Sequence, residues 1–257
     1  MTTVDAATAR READTAAADA GVVIRAVATP DELDVLRATM ESVWGAEIVP
    51  PRNLLRGLAL GGACLLLASD ATSPGESPVG FALGWLGWFG GMHFHSHQVG
   101  VRSGLRGGGV GYALKLTQRA VCLEHGVAEM RWTFDPMLLS NARFNLGRLG
   151  AVPLAFLEHC YGDRRDAFNT GERTDRLEVS WQLDVGVGPS IDRVRHVLAS
   201  ASAVETIEVP LDYASLRASD PGSAAQERAR VGAALGAAFA TGAHVMLRDD
   251  TYLVVRP

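Results

Sequence analysis

A glycine-rich segment between residues 103 and 115, with the sequence SGLRGGGVGYALK, is the strongest candidate for a ligand site in this chain. It follows a predicted strand and opens a predicted helix. Glycines in such a turn let backbone N–H groups approach a phosphate closely, and the N-terminus of a helix adds partial positive charge. The segment therefore predicts an anion site.

The spacing of the glycines distinguishes between phosphate-binding patterns. A P-loop requires GxxxxGK followed by Ser or Thr, which is absent. The dinucleotide fingerprint GxGxxG fails in both registers, because Tyr112 or Leu114 occupies the third glycine position. The pattern that fits is RxxGxG, formed by Arg106, Gly109 and Gly111.

The charges around this segment also favour a diphosphate. No Asp or Glu occurs from Ser77 to Leu123, whereas the same stretch contains Arg102, Arg106, Lys115 and Arg119. We expect these cations to attract a pyrophosphate. The alternative is a flexible glycine-rich turn that holds no ligand, since short glycine motifs recur by chance.

Three histidines alternate along the strand that precedes the glycines, at His93, His95 and His97. The usual pKa of histidine suits proton transfer near neutrality. In a regular strand, His97 would share a face with Val99 and Val101, and a bulge would change that face. Three imidazoles on one face could also ligate zinc. The other interpretation of His97 is a core or surface histidine without a catalytic role.

Composition restricts the class of protein. The chain has 257 residues, 47% hydrophobic and 21% charged, which is typical of a globular protein. Its net charge of −5 argues against general nucleic-acid binding. Three cysteines without metal-type spacing do not form a disulfide framework. The first twenty residues lack the apolar stretch of a signal peptide, and the apolar runs 57–68 and 79–92 are short for a membrane span. We therefore expect a cytoplasmic protein without nucleic-acid or membrane partners.

The apolar periodicity predicts the order of the elements. Strands are expected over 22–28, 64–68, 79–89, 93–101, 128–134, 151–157 and 176–184, and helices over 30–44, 52–58, 109–125 and 140–149. An antiparallel block followed by a strand–helix–strand crossover predicts an α/β fold with a mixed, mostly antiparallel central sheet flanked by helices.

Three parts are predicted along the chain. Residues 1–20 are expected to be a disordered tail, residues 21–185 a main domain, and residues 186–257 a small C-terminal α+β extension. The extension should contain helices near 190–201 and 222–240, a strand at 204–209, and a hairpin over 244–255 that turns at Asp249 and Asp250. The C-terminal part could mediate a homodimer, close an acceptor pocket or pack as ordinary core.

The stretch 95–150 resembles the coenzyme A-binding core of the GNAT acyltransferase superfamily. The resemblance lies in HSHQVGVRSGLRGGGVGYALKLTQRA, MRWTFDP and NARFNLGRLGAV, which follow one another in the chain. It extends over roughly residues 22–184, where YGD (161–163) and TDRLEVSWQL (174–183) look like one sparsely characterised bacterial branch.

The resemblance implies a GNAT-like sheet and an acyl-CoA cofactor, acetyl-CoA or another short acyl-CoA. The strand at Val99, Gly100 and Val101 would pair its backbone with the pantetheine arm, and the strand at 129–134 would splay from its neighbour. Asn141 would contact the cofactor, and Asn145 is a candidate to contact the cofactor or the acceptor. The backbone amides expected to hold the pyrophosphate are those of Arg106, Gly107, Gly108, Gly109, Val110 and Gly111.

The reaction implied is acyl transfer to a primary amine of a small molecule such as an amino acid. The amine needs a base and the thioester oxygen needs a donor. The backbone N–H of Val99 is the expected donor. Many relatives use a carboxylate near this strand as the base, but none is present here, so His97 is the candidate base. No metal is expected, because this chemistry requires none.

The sequence departs from the family at the acid that protonates the leaving thiolate. Many relatives place a tyrosine four residues before the glycine that ends the following helix, and Leu146 occupies that position here. Tyr161 is the candidate substitute, with simple packing as the alternative. Trp132 and Asp135 are candidates for binding the acceptor, although a core position for Trp132 and a turn role for Asp135 are the simpler interpretations.

A second function stays open at this point. The missing tyrosine and the missing strand carboxylate are also what we would expect of a non-catalytic acyl-CoA-binding or regulatory protein with a GNAT fold.

Overall fold

The computed structural model describes residues 3–73, 76–163, 165–166, 169–170 and 173–256. The helices and strands, in chain order, are α1 (Ala6–Asp19), β1 (Val22–Ala26), α2 (Pro30–Trp44), a 3₁₀ turn (Ala46–Ile48), α3 (Arg52–Leu60), β2 (Cys64–Asp70), β3 (Gly80–Gly87), β4 (His93–Val101), α4 (Val110–Glu124), β5 (Glu129–Phe134), α5 (Leu139–Ala142), a π-helix (Arg143–Arg148), β6 (Val152–Leu157), β7 (Arg165–Asp166), β8 (Asn169–Thr170), β9 (Arg176–Gln182), α6 (Ile191–Ala199), β10 (Ala203–Glu208), α7 (Tyr213–Ser219), α8 (Pro221–Ala240), β11 (His244–Arg248) and β12 (Thr251–Arg256).

The chain divides into two compact units. The main segments of the first unit are residues 3–131 and 182–186, and those of the second are residues 132–163, 173–181 and 187–256. The segment that we predicted as a separate C-terminal extension thus shares a unit with residues 132–163. A functional boundary near residue 185 stays a prediction.

The first unit is built on strands in the order β1-β2-β3-β4-β5. The first three pairings are antiparallel, and β4 pairs with β5 in parallel. In the second unit, β9 lies between the end of β5 and β6, and pairs with β6 in antiparallel fashion. This arrangement confirms the predicted mixed, mostly antiparallel sheet of an α/β fold.

Helices α2 and α3 cover one face of the first sheet. Leu33 and Leu36 of α2 and Leu55 of α3 are fully buried against Leu67 and Phe81 of the strands. Burying side chains of this size stabilises the unit by about 1.5–3 kcal/mol each. These apolar contacts reproduce the periodicity from which the helices were predicted.

The predicted disordered tail is wrong, because residues 6–19 form helix α1. Asp5 caps the helix by accepting from the Thr8 backbone N–H at 2.7 Å. Ala9 and Ala13 are fully buried, and α1 packs against α4. Alanine has the highest helix propensity and allows two helices to approach closely, but its low hydrophobicity makes the segment resemble a solvated tail in the sequence.

The side chain of Arg119, on α4, connects several parts of the first unit. It is fully buried, donates to the backbone oxygens of Leu183 (2.7 Å) and Val185 (2.8 Å), and forms an ion pair with Glu12 of α1. A buried guanidinium requires such partners, since an unpaired buried charge is strongly destabilising.

The second unit also contains a three-stranded antiparallel sheet in the order β10-β12-β11. The turn between β11 and β12 is at Asp249 and Asp250, as predicted, with φ of 48° and 63°. Aspartate tolerates this left-handed region better than most residues. None of the described helices combines the length and apolar character needed to cross a membrane.

Substituting Arg119 with methionine is expected to destabilise the fold. The variant leaves the oxygens of Leu183 and Val185 without their donors, and the free energy of unfolding should fall by about 3 kcal/mol. Urea denaturation measures the loss. Arg11→Met, at an exposed position of α1, is the control and should stay within about 0.5 kcal/mol of the wild type. A change below about 1 kcal/mol for Arg119→Met would contradict the structural role described here.

Candidate active site

The glycine-rich turn has the backbone conformation that the sequence suggested. Gly104, Gly107 and Gly109 have φ of 84°, 87° and 90°, a region that other residues rarely adopt. Gly109 precedes α4, and no side chain caps the helix. The amide N–H groups of the first turn are therefore presented at the helix N-terminus without a side-chain acceptor from the described residues, as an anion site requires.

Two arginines accompany this turn. Arg106 is exposed, and its Nε is 3.4 Å from the backbone oxygen of Val101. The Nε of Arg102 is buried and has no hydrogen-bond partner in the described part of the chain. Both guanidinium groups thus lie in the turn between β4 and α4, where a diphosphate would meet positive charge.

The other two cations of the acid-free stretch do not belong to this turn, which corrects the expectation for them. Arg119 is engaged with Glu12 and two carbonyls, as described above. Lys115 is 3% exposed, and its Nζ donates to Ser96 Oγ at 2.8 Å. The sign of their charge is evident in the sequence, but the helix face on which they lie is not.

Strands β4 and β5 are joined through few residues. In the described pairing, Phe94 lies opposite Met130 and His95 lies opposite Arg131. Strand β4 continues to Val101, where it still pairs with β3 on its other side. We call the point beyond His95, where β4 parts from β5, the fork. Beyond it, no pairing of Val99, Gly100 or Val101 with β5 occurs among the described residues, and the role of this edge in binding a pantetheine arm stays a prediction.

A bulge in β4 places His97. Leu83 of β3 pairs with Gln98, and the next residue, Gly84, pairs with Ser96, so that His97 is the extra residue. Its ring lies 5.8 Å from the ring of His95 and 4.9 Å from that of Trp85 (centroid distances). The strand is thus irregular at His97. A bulge changes the face on which a side chain lies, so the face of His97 could not be predicted from a regular alternation.

The three histidines do not form a metal site. His93 is buried and its Nδ1 lies 2.8 Å from the backbone oxygen of Gly91. Within the described residues, no group of three or more His, Cys, Asp or Glu side chains is arranged to hold a metal ion. Burial lowers the pKa of His95 to about 4, and the neighbouring His97 and His93 act in the same direction.

Tyr161, in the second unit, lies beside β5. Its hydroxyl is 3.0 Å from Thr133 Oγ1, and its backbone N–H donates to Thr174 Oγ1 at 2.9 Å. The guanidinium of Arg176 lies 5.4 Å from the centre of its ring. The phenol is therefore held against the strand by side chains of the same unit.

The side chains of Trp132 and Asn145 are hydrogen-bonded to each other. The indole Nε1 of Trp132 donates to Asn145 Oδ1 at 3.1 Å, and both residues are buried. Trp132 also packs edge-on against Trp181, with ring centroids 6.4 Å apart. These contacts favour the core interpretation of Trp132 and engage the amide oxygen of Asn145. Asn141, in α5, is exposed.

The carboxylate of Asp135 is engaged by the protein itself, which corrects its assignment to an acceptor ammonium. Arg228 of α8 donates to both of its oxygens, at 3.1 and 2.8 Å, and to the hydroxyl of Tyr213 at 3.2 Å. Asp135 also has the turn role that the sequence suggested, since its Oδ1 accepts from the backbone N–H of Met137 at 2.9 Å. Such a bidentate pair holds the end of β5 in place.

Sequence reasoning missed two features of the site region. Residues Arg143–Arg148 form a π-helix rather than the end of an α-helix. Counting back from Gly150 to Leu146 assumed α-helical spacing, which a π-helix does not have. The second feature is the buried cluster of Lys115, Ser96 and Gln118. The helical periodicity places apolar residues on either side of Lys115, and this was the available signal that the lysine is buried.

Comparison with solved structures gives matches at low sequence identity. No family model matches the chain, and no curated protein matches it. An acetyltransferase assigned to the GNAT family from Desulfovibrio desulfuricans is 15% identical and has a TM-score of 0.47, with 63% of this chain and 99% of that chain covered. Naa50 of Arabidopsis thaliana, solved with the bisubstrate analogue CoA-Ac-MVNAL, is 18% identical with a TM-score of 0.49, covering 62% and 97%. GphF, a GNAT-like decarboxylase in complex with isobutyryl-CoA, is 17% identical with a TM-score of 0.45, covering 63% and 99%.

Stability should fall on acidification because of His95. Its pKa is about 4 in the folded chain and about 6.5 when unfolded. The unfolded chain thus binds a proton that the folded chain does not, so stability is full above pH 6.5 and declines towards pH 4. Allowing for partial exposure, the loss is about 2 kcal/mol.

Chemical denaturation at pH 7 and pH 4.5 measures this effect. His95→Asn should lose less stability than the wild type over that interval, whereas His125→Asn, at an exposed position, should follow the wild type. Equal losses for the wild type and His95→Asn would show that His95 does not remain neutral in the folded state.

Proposed function

We propose that this protein transfers a short acyl group from an acyl-CoA to the primary amine of a small molecule. One observation carries the proposal: within the first unit, β4 continues beyond its last described pair with β5 and leads to an uncapped helix N-terminus in a glycine turn. An open strand edge suits the amide-bearing pantetheine arm, and the turn suits a diphosphate.

In this proposal, the diphosphate lies on the backbone amides between Arg106 and Gly111. Arg102 and Arg106 add positive charge, and the absence of Asp and Glu from Ser77 to Leu123 removes local repulsion. The pantetheine arm then pairs with β4 at Val99 to Val101, so that the thioester reaches the fork.

His97 is the proposed general base. It lies in the bulge at the fork, beside the rings of Trp85 and His95. The backbone N–H of Val99 is the proposed donor to the thioester oxygen, where negative charge develops. Tyr161 stays the predicted acid for the leaving thiolate; within the second unit its hydroxyl lies 3.0 Å from Thr133 Oγ1. Asn141 stays a predicted cofactor contact.

A non-catalytic acyl-CoA-binding protein is the second candidate. It is favoured by the internal engagement of Asp135 and Trp132, the two residues that we predicted to bind an acceptor. A homodimer stays a prediction as well. An assay of turnover with a panel of amines, measured through the release of free thiol, distinguishes the two candidates.

Gly107→Ala should weaken coenzyme A binding. Gly107 has φ of 87° and no heavy atom within 4 Å of an added Cβ, so the substitution acts on the backbone of the turn alone. We expect the Kd for coenzyme A, from calorimetry, to rise about tenfold, which corresponds to the loss of about 1.4 kcal/mol.

Gly62→Ala is a matched control for that variant. Gly62 has φ of 83° and also has no neighbour within 4 Å, but it lies between α3 and β2. It should suffer similar backbone strain while binding coenzyme A as the wild type does. An unchanged Kd in Gly107→Ala would remove the diphosphate from this turn.

His97→Ala should abolish most turnover and spare binding. Loss of a general base lowers kcat by about 100-fold or more, while the Kd for acyl-CoA should change by less than about threefold because no contact to the diphosphate is lost. Added imidazole should restore part of the rate. Wild-type protein that binds acetyl-CoA but releases no thiol with any amine would support the non-catalytic candidate instead.

A further inference from the structure

The turn between β3 and β4 carries the two most exposed large apolar side chains among the described residues. Phe89 is 91% exposed and Trp88 is 82% exposed, and Met92, where the turn enters β4, is 66% exposed. We call residues 88–92 the tip. Large apolar side chains that are exposed together mark a surface for another molecule more often than scattered ones do.

Leu60 adds to the apolar character of this end of the first sheet. Strand β2 begins at Cys64, which pairs with Gly84 shortly before β3 reaches the tip. Leu60 is the last residue of α3, four positions before Cys64, and is 72% exposed. The end of α3 and the tip thus lie at the same end of the strands.

The hairpin of β3 and β4 has no permanently charged side chain. From Ser77 to Val101 there is no Asp, Glu, Lys or Arg, and the titratable side chains of this stretch are the three histidines of β4. Moving an ionised group out of water is costly. The tip can therefore enter an apolar phase without desolvating an ion of its own.

The backbone carbonyl groups of the tip accept hydrogen bonds from within the first unit. The oxygen of Trp88 accepts from the backbone N–H of Gly91 at 3.2 Å. Arg131 of β5 donates from Nη1 to the oxygen of Phe89 at 3.4 Å, and from Nη2 to the oxygen of Gly90 at 3.0 Å. Arg131 therefore satisfies two carbonyl groups and holds the turn against β5.

The fourth carbonyl group and the charge of the arginine are also matched. The oxygen of Gly91 lies 2.8 Å from Nδ1 of His93, and a carbonyl oxygen can only accept. Arg131 forms an ion pair with Glu129 of the same strand. Four consecutive carbonyl groups, 88–91, thus have donors supplied by the protein.

This pattern fits a lipid surface better than a protein partner. Phosphatidylcholine offers phosphate and ester oxygens that accept hydrogen bonds, but it has no N–H or O–H group to donate one. A carbonyl group that enters such an interface is costly unless the protein itself supplies its donor, whereas a protein partner could supply one. The indole N–H of Trp88 would donate to the lipid oxygens, as tryptophan does at membrane interfaces.

The size of the tip leads to the same choice. A covered aromatic side chain buries about 150–250 Å², so Trp88, Phe89 and Met92 together offer about 400–500 Å². A stable protein interface takes about 800 Å² from each partner. Reversible insertion into a bilayer interface needs far less, since a single acyl chain already gives measurable binding.

We propose that the tip inserts into the interface of a phospholipid bilayer, with Trp88, Phe89 and Met92 in the lipid and Leu60 at its surface. This inference goes beyond the proposed function and does not depend on it. We expected no membrane partner because the sequence has no spanning segment, but a turn that enters about 5–10 Å needs none. The hairpin contains no Lys or Arg, so the attraction is apolar and requires no anionic lipid.

Flotation of the full chain with vesicles of phosphatidylcholine tests the inference. We expect half of the protein to float at about 0.1–1 mM accessible lipid, which is the scale of one acyl chain. Raising NaCl from about 0.1 M to about 1 M should not weaken flotation, because screening acts on charges only. Adding about 20% phosphatidylserine should strengthen it by no more than about twofold.

A double variant, Trp88→Ser with Phe89→Ser, locates the binding. The lipid concentration for half flotation should rise at least about tenfold, and the melting temperature should stay unchanged because both side chains are exposed. Leu211→Ser is the control. Leu211 is 75% exposed but lies between β10 and α7, in the second unit, and this variant should float like the wild type.

A second pair of variants tests the role of the carbonyl groups. Arg131→Met combined with Glu129→Gln removes two carbonyl donors and keeps every apolar side chain of the tip. It should need about fivefold more lipid than the wild type, whereas Glu129→Gln alone should float like the wild type. Equal flotation of these two variants would show that the carbonyl groups stay in water and that the tip is not inserted.

Three results with the wild type would overturn the inference without any variant. The first is no flotation at about 1 mM lipid. The second is flotation that is lost in high salt or that requires phosphatidylserine, which would place the contact at charged residues elsewhere. The third is self-association in sedimentation experiments without flotation, which would make a second copy of the chain the partner of the tip.

Discussion

The parting of β4 from β5 after two residue pairs is the constraint on which the rest of the site depends. Parallel strands normally satisfy each other's backbone groups, and an unpaired backbone donor or acceptor that is shielded from water is costly. Strand β4 keeps its partner β3 through Val101 but has no described partner on its other edge beyond His95. The fork therefore leaves a row of backbone groups that a ligand with amides along its length could satisfy.

The bulge at His97 and the glycine turn both follow from this geometry. The bulge places an imidazole at the fork, where a regular strand would have set a different register. The glycine turn then redirects the chain within a few residues, since three glycines with positive φ precede α4. The proposed base and the proposed anion site thus come from one continuous stretch, and their separation is set by the length of β4 between them.

The two buried basic side chains of α4, Arg119 and Lys115, have different surroundings. Two backbone oxygens and Glu12 surround the guanidinium of Arg119. Lys115 contacts a hydroxyl and a thioether, and desolvation lowers its pKa instead. Guanidinium groups stay protonated in proteins, whereas a lysine responds to its surroundings by releasing its proton. Arg119 therefore serves the fold through its partners, whereas burial favours the neutral form of Lys115.

The sequence predicted what local patterns determine and missed what distant residues determine. The capping box at Thr29 and the apolar periodicity fixed α2 to within a residue, and the glycines located the turn before α4. The helix formed by residues 6–19 was missed because its burial depends on α4, about a hundred residues later. Asp135 was assigned to an acceptor because its partner, Arg228, is 93 positions away. Tertiary partners of this kind leave no local signal in a single sequence.

The choice of a histidine rather than a carboxylate as the candidate base is consistent with the charges at the fork. A carboxylate near the thioester would oppose the negative charge that develops on the thioester oxygen, and in a buried site that repulsion would be weakly screened. A neutral imidazole accepts the proton of the amine without that repulsion. On protonation it would add positive charge near the same group, which lowers the energy of the step that produces it. The acid-free stretch from Ser77 to Leu123 thus has a physical reason in the proposed function: negative charge is expected at both ends of β4, on the diphosphate at one end and on the thioester oxygen at the fork.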